Sequence, residues 1–587
     1  MDAFVASLSQ AIADAVRSLG AETSASQVAE WLEVPPSPDL GDYALPCFKL
    51  APTLRRGPAQ IATQVVDALS ARPEPLPEFR EIKATGPYVN AFVDAANFVD
   101  LTSMEVRRLG DTYGRSEAGD GQTVCIDFSS PNLAKPFHIG HLCSTILGAS
   151  IARLYEQLGY RAWRVNFLGD WGVQVGFQIL AWTRWGDAEE LERRGIDYLT
   201  ELYVRVNDEA KKNPDLDQEA RRLFKDLEDG NETYLALWRR IRQVSLESLG
   251  RSYSRLGVHF DSNQGEAFCE HEGLTTAAIE LYRDELKIAV ESRGALIVPL
   301  EEIDEELPPL MLKKSDNATI YHTRDVATAI WRWENFEFAK NIYVTDGRQA
   351  MHFRQLFAAL EVGGFKWFER CVHVPFGIVK VMQEGRIQPM STREGKMIRL
   401  EALLDELVEA VRRLVENETQ KRLDLPAEEF AEVTEAVGVG AAIFWAQSRG
   451  RRNDLIFDWN QATDPKGASG PYLQYQHARL CGILRRHDAD IPAKGQPILD
   501  TFEELEVAKR LRTFPQVIER AAGLYEPSVL AEYLLDLAST FSRFYAKHRV
   551  LGQEPEIQGA RLRLVDATRI VLRRGIEILG MKAPERM

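Results

Sequence analysis

The sequence predicts an α/β protein built in parts: a nucleotide-binding domain on a mostly parallel, Rossmann-like sheet, with a small α/β domain before it and an all-helical domain after it. Three observations carry that prediction. At 587 residues the chain is too long for one core, and a prior of about 150 residues per domain gives three or four. Between about 116 and 385, short β-rich runs alternate with helical patterns, as a parallel sheet requires. After Leu400 apolar residues recur almost everywhere at helical spacing.

Residues 1–115 read as the small α/β domain. An amphipathic N-terminal helix is followed by the Pro-rich turns of Val34-Pro35-Pro36-Ser37-Pro38, a helix near Ala59 to Ala71, and strand-like runs at 79–84 and 88–94. Arg72 to Pro77 alternates prolines with other residues and must be an extended connector. Next, Val124 to Phe128 reads as a buried strand, Leu142 to Leu158 as a helix stopped by Gly159, and Arg161 to Phe167 as a second strand. This βαβ unit opens the domain at 116–385. Residues 188–256, with Leu223, Leu227, Tyr234, Trp238, Ile241 and Leu249 at helical spacing, form a helical insertion. Strands resume at 296–298, 319–321, 341–344 and 372–374. Residues 386–460 are a loop and helical junction containing a helix from Glu401 to Val415, and 461–587 are a helical bundle broken at Asp488 to Gln496.

Hydrophobic residues at 45% and charged residues at 27% are ordinary for a globular protein. No run of about 18 apolar residues is present, and the acidic, amphipathic N-terminus is unlike a signal peptide, so the expected compartment is the cytoplasm and no membrane is involved. The six cysteines (47, 125, 143, 269, 371 and 481) form no CxxC pair, which argues against protein-bound zinc and a disulfide framework. A net charge of −16 argues against a nucleic-acid partner until its distribution is considered. Basic clusters at Arg449 to Arg452, Arg485-Arg486, Lys509 to Arg512, Arg543 to Arg549 and Arg569 to Arg574 concentrate in the last third, although each alone reads as a solvated helix face.

Between the strand ending at Phe128 and the helix lies Ser129-Ser130-Pro131-Asn132-Leu133-Ala134-Lys135-Pro136-Phe137-His138-Ile139-Gly140-His141. A ligand of such a unit sits beyond the carboxyl end of the strand, where free N–H groups and a partial positive charge at the helix start favour an anion. His138 and His141, at i and i+3, face that ligand together. Alone, two histidines near a helix start read equally well as metal ligands or surface residues.

The segment resembles the HIGH signature of class I aminoacyl-tRNA synthetases, in the form worn by arginyl-tRNA synthetases. Further matches follow in the family's order: Asn166 to Gly172, Tyr321 to Asp325, Gln349 to His352, Met390 to Arg393, and the ending Ala583-Pro584-Glu585-Arg586-Met587. The resemblance spans nearly the whole chain and implies an arginine–tRNA ligase. Such an enzyme uses ATP with Mg2+ to make arginyl-adenylate and then esterifies the terminal adenosine of tRNA(Arg), with activation requiring bound tRNA and the chain acting as a monomer.

The same resemblance implies the site residues. His138 and His141 contact ATP phosphates and ribose, with Lys135 and Gly140 beside them; Asp346, Gly347 and His352 serve ribose and adenine, and Phe376 to Val379 offers backbone to the base. Met390, Ser391, Arg393 and Lys396 stand for the KMSKS loop, with Pro389 at its first position and Glu394 opposing the cations locally. A guanidinium presents donors in a planar fork that a carboxylate matches bidentately. Tyr321 and Asp325 are expected to hold it, Ser130, Asn132 and Gln349 the α-amino and carboxylate end, and Asp127 is a second carboxylate near the amino acid; Asp325 alone also reads as a helix N-cap. Gly169 to Gly172 reads as a turn closing the sheet edge onto a helix. For tRNA, Tyr88 stacks on a flipped D-loop base while Asn90 reads its edge, and Arg451, Tyr472, Tyr475, Tyr545 and Met587 are the candidates toward the anticodon. A pocket that pairs the guanidinium excludes lysine with no editing module. Two other readings are a paralogue that holds tRNA without charging it, and a cysteinyl ligase, for which no metal-type cysteine cluster exists.

Overall fold

The computed structural model of the protein describes residues 3–74, 76–135, 137–315, 318–383, 386–389, 398–419 and 426–587. They fall into two compact units that do not follow chain order: Met1–Tyr113, Leu480–Pro515 and Asp536–Leu572 form one, and Gly114–Arg479, Gln516–Leu535 and Arg573–Met587 the other.

In the first unit β1 (Tyr43–Pro46), β2 (Phe79–Thr85) and β3 (Tyr88–Val93) form an antiparallel sheet in the order β1-β3-β2. The central strand β3 is the most buried, and the helices Ala3–Ser18 and Pro58–Ser70 cover the sheet with Phe4, Ile61 and Val65. Asp94 caps the helix Ala95–Leu109 by accepting from Asn97 N at 2.9 Å. That helix is fastened to later helices of the same unit by Arg107–Asp566 at 2.9 Å, Arg563–Asp100 at 2.8 Å and Arg512–Glu105 at 2.9 Å.

The second unit is built on a parallel sheet of order β10-β9-β4-β5, with β4 at Thr123–Asp127, β5 at Arg161–Val165, β9 at Lys340–Asp346 and β10 at Cys371–Phe376. The chain leaves β4 for β5 on one side and later returns to β9 on the other. The topological switch therefore falls at the carboxyl ends of β4 and β9, where open α/β sheets bind ligands. Helices Ala188–Arg194, Ile196–Ala210, Asp215–Glu228 and Glu232–Arg255 bury Leu199, Leu202, Leu223, Leu227, Trp238 and Ile241 against Val175, Ile179 and Leu180 of the helix Val173–Trp185.

Three strand expectations change. The run at 296–298 joins a separate antiparallel sheet of β6 (Val290–Ser292), β7 (Ala295–Val298) and β8 (Leu310–Lys313), whose apolar face packs on Val326, Ala327 and Phe353. The run at 319–321 is no strand: Thr319 makes one bridge to Lys313, and Tyr321 already begins the helix Tyr321–Phe336. β-branched Thr319 and Ile320 are extended, but extension without a ladder is not a strand. Leu455–Phe457, in a stretch expected to be helical, is a strand, β13, pairing with β11 (Val379–Gln383), which also pairs with β12 (Arg386–Pro389). Among the described residues no helix is long and apolar enough to cross a membrane, and all six cysteines are buried and free of disulfides.

Candidate active site

The loop leaving β4 is held in a strained shape. Ser129, Ser130 and Ala134 have φ of +71°, +46° and +53° without being glycine, a conformation that costs roughly 1–2 kcal/mol each and persists only where the surroundings impose it. They do so here: Ser129 N donates to Ser144 Oγ at 3.0 Å, Ser130 N to Asn166 Oδ1 at 3.2 Å and Ala134 N to Ser245 Oγ at 3.2 Å. Ser129 Oγ lies 2.8 Å from both Tyr253 OH and Thr145 Oγ1. Tyr253 and Ser245 belong to the helical insertion, which thereby braces the loop.

His138 is the N-cap of the helix Ile139–Gln157, and with His141 it makes a capping box. Gly140 N donates to His138 Nδ1 at 3.0 Å, and His138 N donates to His141 Nδ1 at 3.2 Å. Both Nδ1 lone pairs are thus committed, which assigns the proton of each neutral ring to Nε2 and leaves two N–H donors for an anion. The rings lie 3.9 Å apart, and His141 also stacks on Phe137 at 4.9 Å. Burial, then Lys135, pushes His138 down to about 4; burial, then His138 and Lys135, pushes His141 well below its ordinary value. Both are neutral near pH 7. Gly140 is required because a Cβ there would meet His138 Cε1 at 2.8 Å. Backbone bonds from Ile139 N to Ile398 O at 3.3 Å and from Leu400 N to Phe137 O at 2.9 Å tie this segment to residues 398–400. Met390, Ser391, Arg393 and Lys396 lie outside the described residues.

On the amino-acid side, Asp127 ends β4. Its Oδ1 accepts from Ser130 Oγ at 2.9 Å and its Oδ2 from Arg332 Nη2 at 2.6 Å. Burial pushes the Asp127 carboxyl up against the pull of Arg332. Tyr321, Asp325 and Arg332 follow one face of the helix Tyr321–Phe336 at i, i+4 and i+11, so the bond to Asp127 turns that face toward the sheet edge. Asp325 stands one turn inside the helix, whose N-cap is Ile320, so its N-cap reading is corrected. Its Oδ2 is 2.6 Å from His352 Nε2, and the exposed Tyr321 ring is 4.9 Å from the His352 ring. Arg324, also buried, donates from Nε to Glu270 at 2.8 Å and lies 3.7 Å from Glu266. Burial first, then Asp170, Asp325 and Glu270, pushes Glu266 up to about 7 against Arg324. Asp127 thus pairs with Arg332, and Glu270 and Glu266 with Arg324, whereas Asp325 contacts His352.

The loop after β9 carries Asp346, which caps the turn Gly347–Gln349 and holds Arg348 at 2.6 Å; Gln349 is exposed. Burial pushes the Asp346 carboxyl up, but the bonds from Arg348 outweigh it and leave it lowered. Asn132 Oδ1 accepts from Gln174 at 3.2 Å, and a Cβ on Gly169 would meet that oxygen at 2.1 Å. Asp170 accepts from Ala267 N at 2.8 Å and Arg242 at 3.0 Å, so Gly169 to Gly172 joins the sheet to helices, as read. His352, read as an ATP residue, lies against Asp325.

Toward tRNA, Tyr88 starts β3 with its ring 6.1 Å from exposed Phe48. Asn90 is buried beside it, and its Oδ1 has no partner among the described residues. Arg451 donates to Tyr525 O at 3.1 Å and Pro375 O at 3.2 Å, leaving exposed Arg449 and Arg452 beside it. Tyr475 is exposed, Tyr472 half-buried, the Tyr545 ring stacks 6.1 Å from Phe541, and Met587 packs on Val411, Val415, Val433 and Val437. Sequence reasoning missed Arg324, Arg332, Tyr253, Glu266 and Glu270. Arg332 carried a signal, seven residues after Asp325 on one helical face.

Residues 107–459 match the family described as tRNA synthetases class I (R), catalytic domain, so the nucleotide-type sheet is that of a class I aminoacyl-tRNA synthetase. Residues 6–93 match the arginyl tRNA synthetase N terminal domain and 473–587 the DALR anticodon binding domain. Arginine–tRNA ligase of Lactococcus lactis is 41% identical over 99% of each chain, and that of Clostridium beijerinckii 40% over 96% of this chain and 97% of its own. The chain belongs to the arginyl-tRNA synthetase family. The fold agrees: the Thermus thermophilus arginyl-tRNA synthetase superposes with a TM-score of 0.78 over 99% of each chain at 24% identity, and the Plasmodium falciparum one with 0.75 over 100% of each at 22%.

Proposed function

We propose that this protein charges tRNA(Arg) through an acidic pocket and a nucleotide cradle at the carboxyl ends of β4 and β9. The family's activity is that of an arginine–tRNA ligase: ATP and L-arginine give arginyl-adenylate, whose arginyl group passes to the 3′-terminal adenosine of tRNA. The observation that carries the site reading is Asp325, held on the helix face whose Arg332 reaches Asp127 at 2.6 Å. Asp325 and Tyr321 take the guanidinium, while Ser130, Asn132 and Gln349 take the amino-acid backbone. Asp127, occupied by Arg332, sets the charge of the pocket floor.

The α-carboxylate attacks the α-phosphorus and pyrophosphate leaves, so catalysis is positioning plus stabilisation of spreading negative charge. His138 and His141 supply neutral Nε2–H donors to the phosphates, Lys135 adds a cation, and Gly140 admits the close approach. Asp346 takes the ribose by releasing Arg348. Met390, Ser391, Arg393 and Lys396 stabilise the leaving pyrophosphate, and Mg2+ travels with the ATP phosphates. Tyr88 and Asn90 receive a D-loop base through the N-terminal domain, residues 1–115. Tyr472, Tyr475 and Met587 meet the anticodon arm from the helical domain, residues 461–587, with Arg451 fixing the loop that presents Arg449 and Arg452. The enzyme works as a cytoplasmic monomer, and activation waits for bound tRNA.

Charging assays with arginine, lysine and cysteine, alongside pyrophosphate exchange with and without unfractionated tRNA, test this reading. Arginine alone is charged, and exchange depends on tRNA. Exchange equally fast without tRNA overturns the tRNA requirement, and charging of lysine overturns the pocket.

A further inference from the structure

We infer that His352 is a positioning residue for arginine recognition: it fixes the Asp325 carboxylate so that Oδ1 and the remaining lone pair of Oδ2 meet the guanidinium fork. The inference rests on the reading of Asp325 as the guanidinium ligand. His352 is only 7% exposed and belongs to the helix Ala350–Val362, while Asp325 belongs to the helix Tyr321–Phe336. The contact of 2.6 Å between His352 Nε2 and Asp325 Oδ2 therefore sets one helix against the other at the pocket.

The ring has little freedom to do anything else. Tyr321, His322 and Phe353 lie around it with centroids at 4.9, 4.7 and 4.9 Å. Its Nδ1 is buried with no hydrogen-bond partner among the described residues, so Nε2 makes its one bond. Asp325 Oδ1, by contrast, receives no protein donor among the described residues. An ionised carboxylate has about four acceptor sites, and one N–H from a buried ring uses one of them while fixing the torsion of the group. Partners that orient a metal-ligating side chain change metal affinity by about 10–100-fold when removed, and a carboxylate aimed at a guanidinium is expected to respond on the same order.

The test measures arginine and ATP kinetics of charging by His352→Ala, His352→Gln and, in parallel, Asp325→Asn, each first shown folded by thermal melting. In His352→Ala the KM for arginine rises roughly tenfold or more, the KM for ATP stays within about twofold, kcat at saturating arginine is nearly retained, and added imidazole restores the KM. His352→Gln, whose amide N–H reaches toward Asp325, loses less and supplies the answer if the alanine variant fails to fold. A raised KM for ATP with an unchanged KM for arginine overturns the inference and returns His352 to the nucleotide. Unchanged kinetics of both His352 variants, while Asp325→Asn raises the arginine KM, overturns the positioning role alone. If Asp325→Asn itself leaves the arginine KM unchanged, the reading of Asp325 fails first.

Discussion

At the scale of single residues, the chemistry turns on which proton sits where. The capping box commits Nδ1 of His138 and His141, and burial with Lys135 nearby lowers both rings, His138 to about 4. A folded value below the unfolded one of about 6.5 means that the rings add stability above that pH and lose it as the pH falls toward the folded value. NMR of labelled histidine, assigned with His138→Gln, is expected to show His138 titrating near 4 and His141 well below 6.5; midpoints near 6.5 would contradict the neutral-donor account. Glu266 runs the other way. Raised to about 7, its carboxyl binds its proton more tightly in the folded state, so its contribution is present below about 4.5 and is lost as the pH rises through about 7. Glu266→Gln should therefore match wild type in melting temperature near pH 4.5 and exceed it above pH 7; a constant difference across that range removes the cause assigned here. The histidine pair was legible in the sequence because its spacing is local. The bonds Asp325–His352 and Asp127–Arg332 were not, because they span 27 and 205 residues and only the fold closes them.

At the scale of elements, the strained β4 loop is the part most dependent on its neighbours. Its left-handed Ser129 and Ser130 are stabilised by Ser144, Asn166 and Tyr253, and Asn132 is seated against Gly169 with no room for a methyl group. Gly169→Ala should push Asn132 aside and raise the KM for arginine roughly tenfold, a misplacement effect in a site that depends on orientation. Steady-state charging kinetics check this, and a KM within twofold of wild type would mean that Asn132 does not touch the substrate. Strands β4 and β5 and the helix between them were readable from apolar runs and a glycine stop. Strand β13 was not, since three residues flanked by helices carry no period, and the β6-β7-β8 sheet was mistaken for parallel because strand runs do not reveal their partners.

At the scale of the whole molecule, a chain of net charge −16 works on a polyanion by sorting its charge. Carboxylates gather at the pocket proposed for arginine, whereas Arg449 and Arg452 stay exposed beside an Arg451 that is spent on packing. Length and the change to helix after Leu400 pointed to parts that follow one another along the chain. The grouping of residues 480–515 and 536–572 with the N-terminal residues was not visible, because it rests on long-range ion pairs such as Arg107–Asp566 that no local pattern encodes. The account as a whole depends on one carboxylate selecting a cationic amino acid for ligation to tRNA. The most direct measurement is kcat/KM for arginine in tRNA charging by Asp325→Ala against wild type, with melting temperatures matched. Losing a carboxylate partner of a guanidinium predicts a fall of about 10²–10³-fold, carried mainly by KM; a value within threefold of wild type would contradict the account.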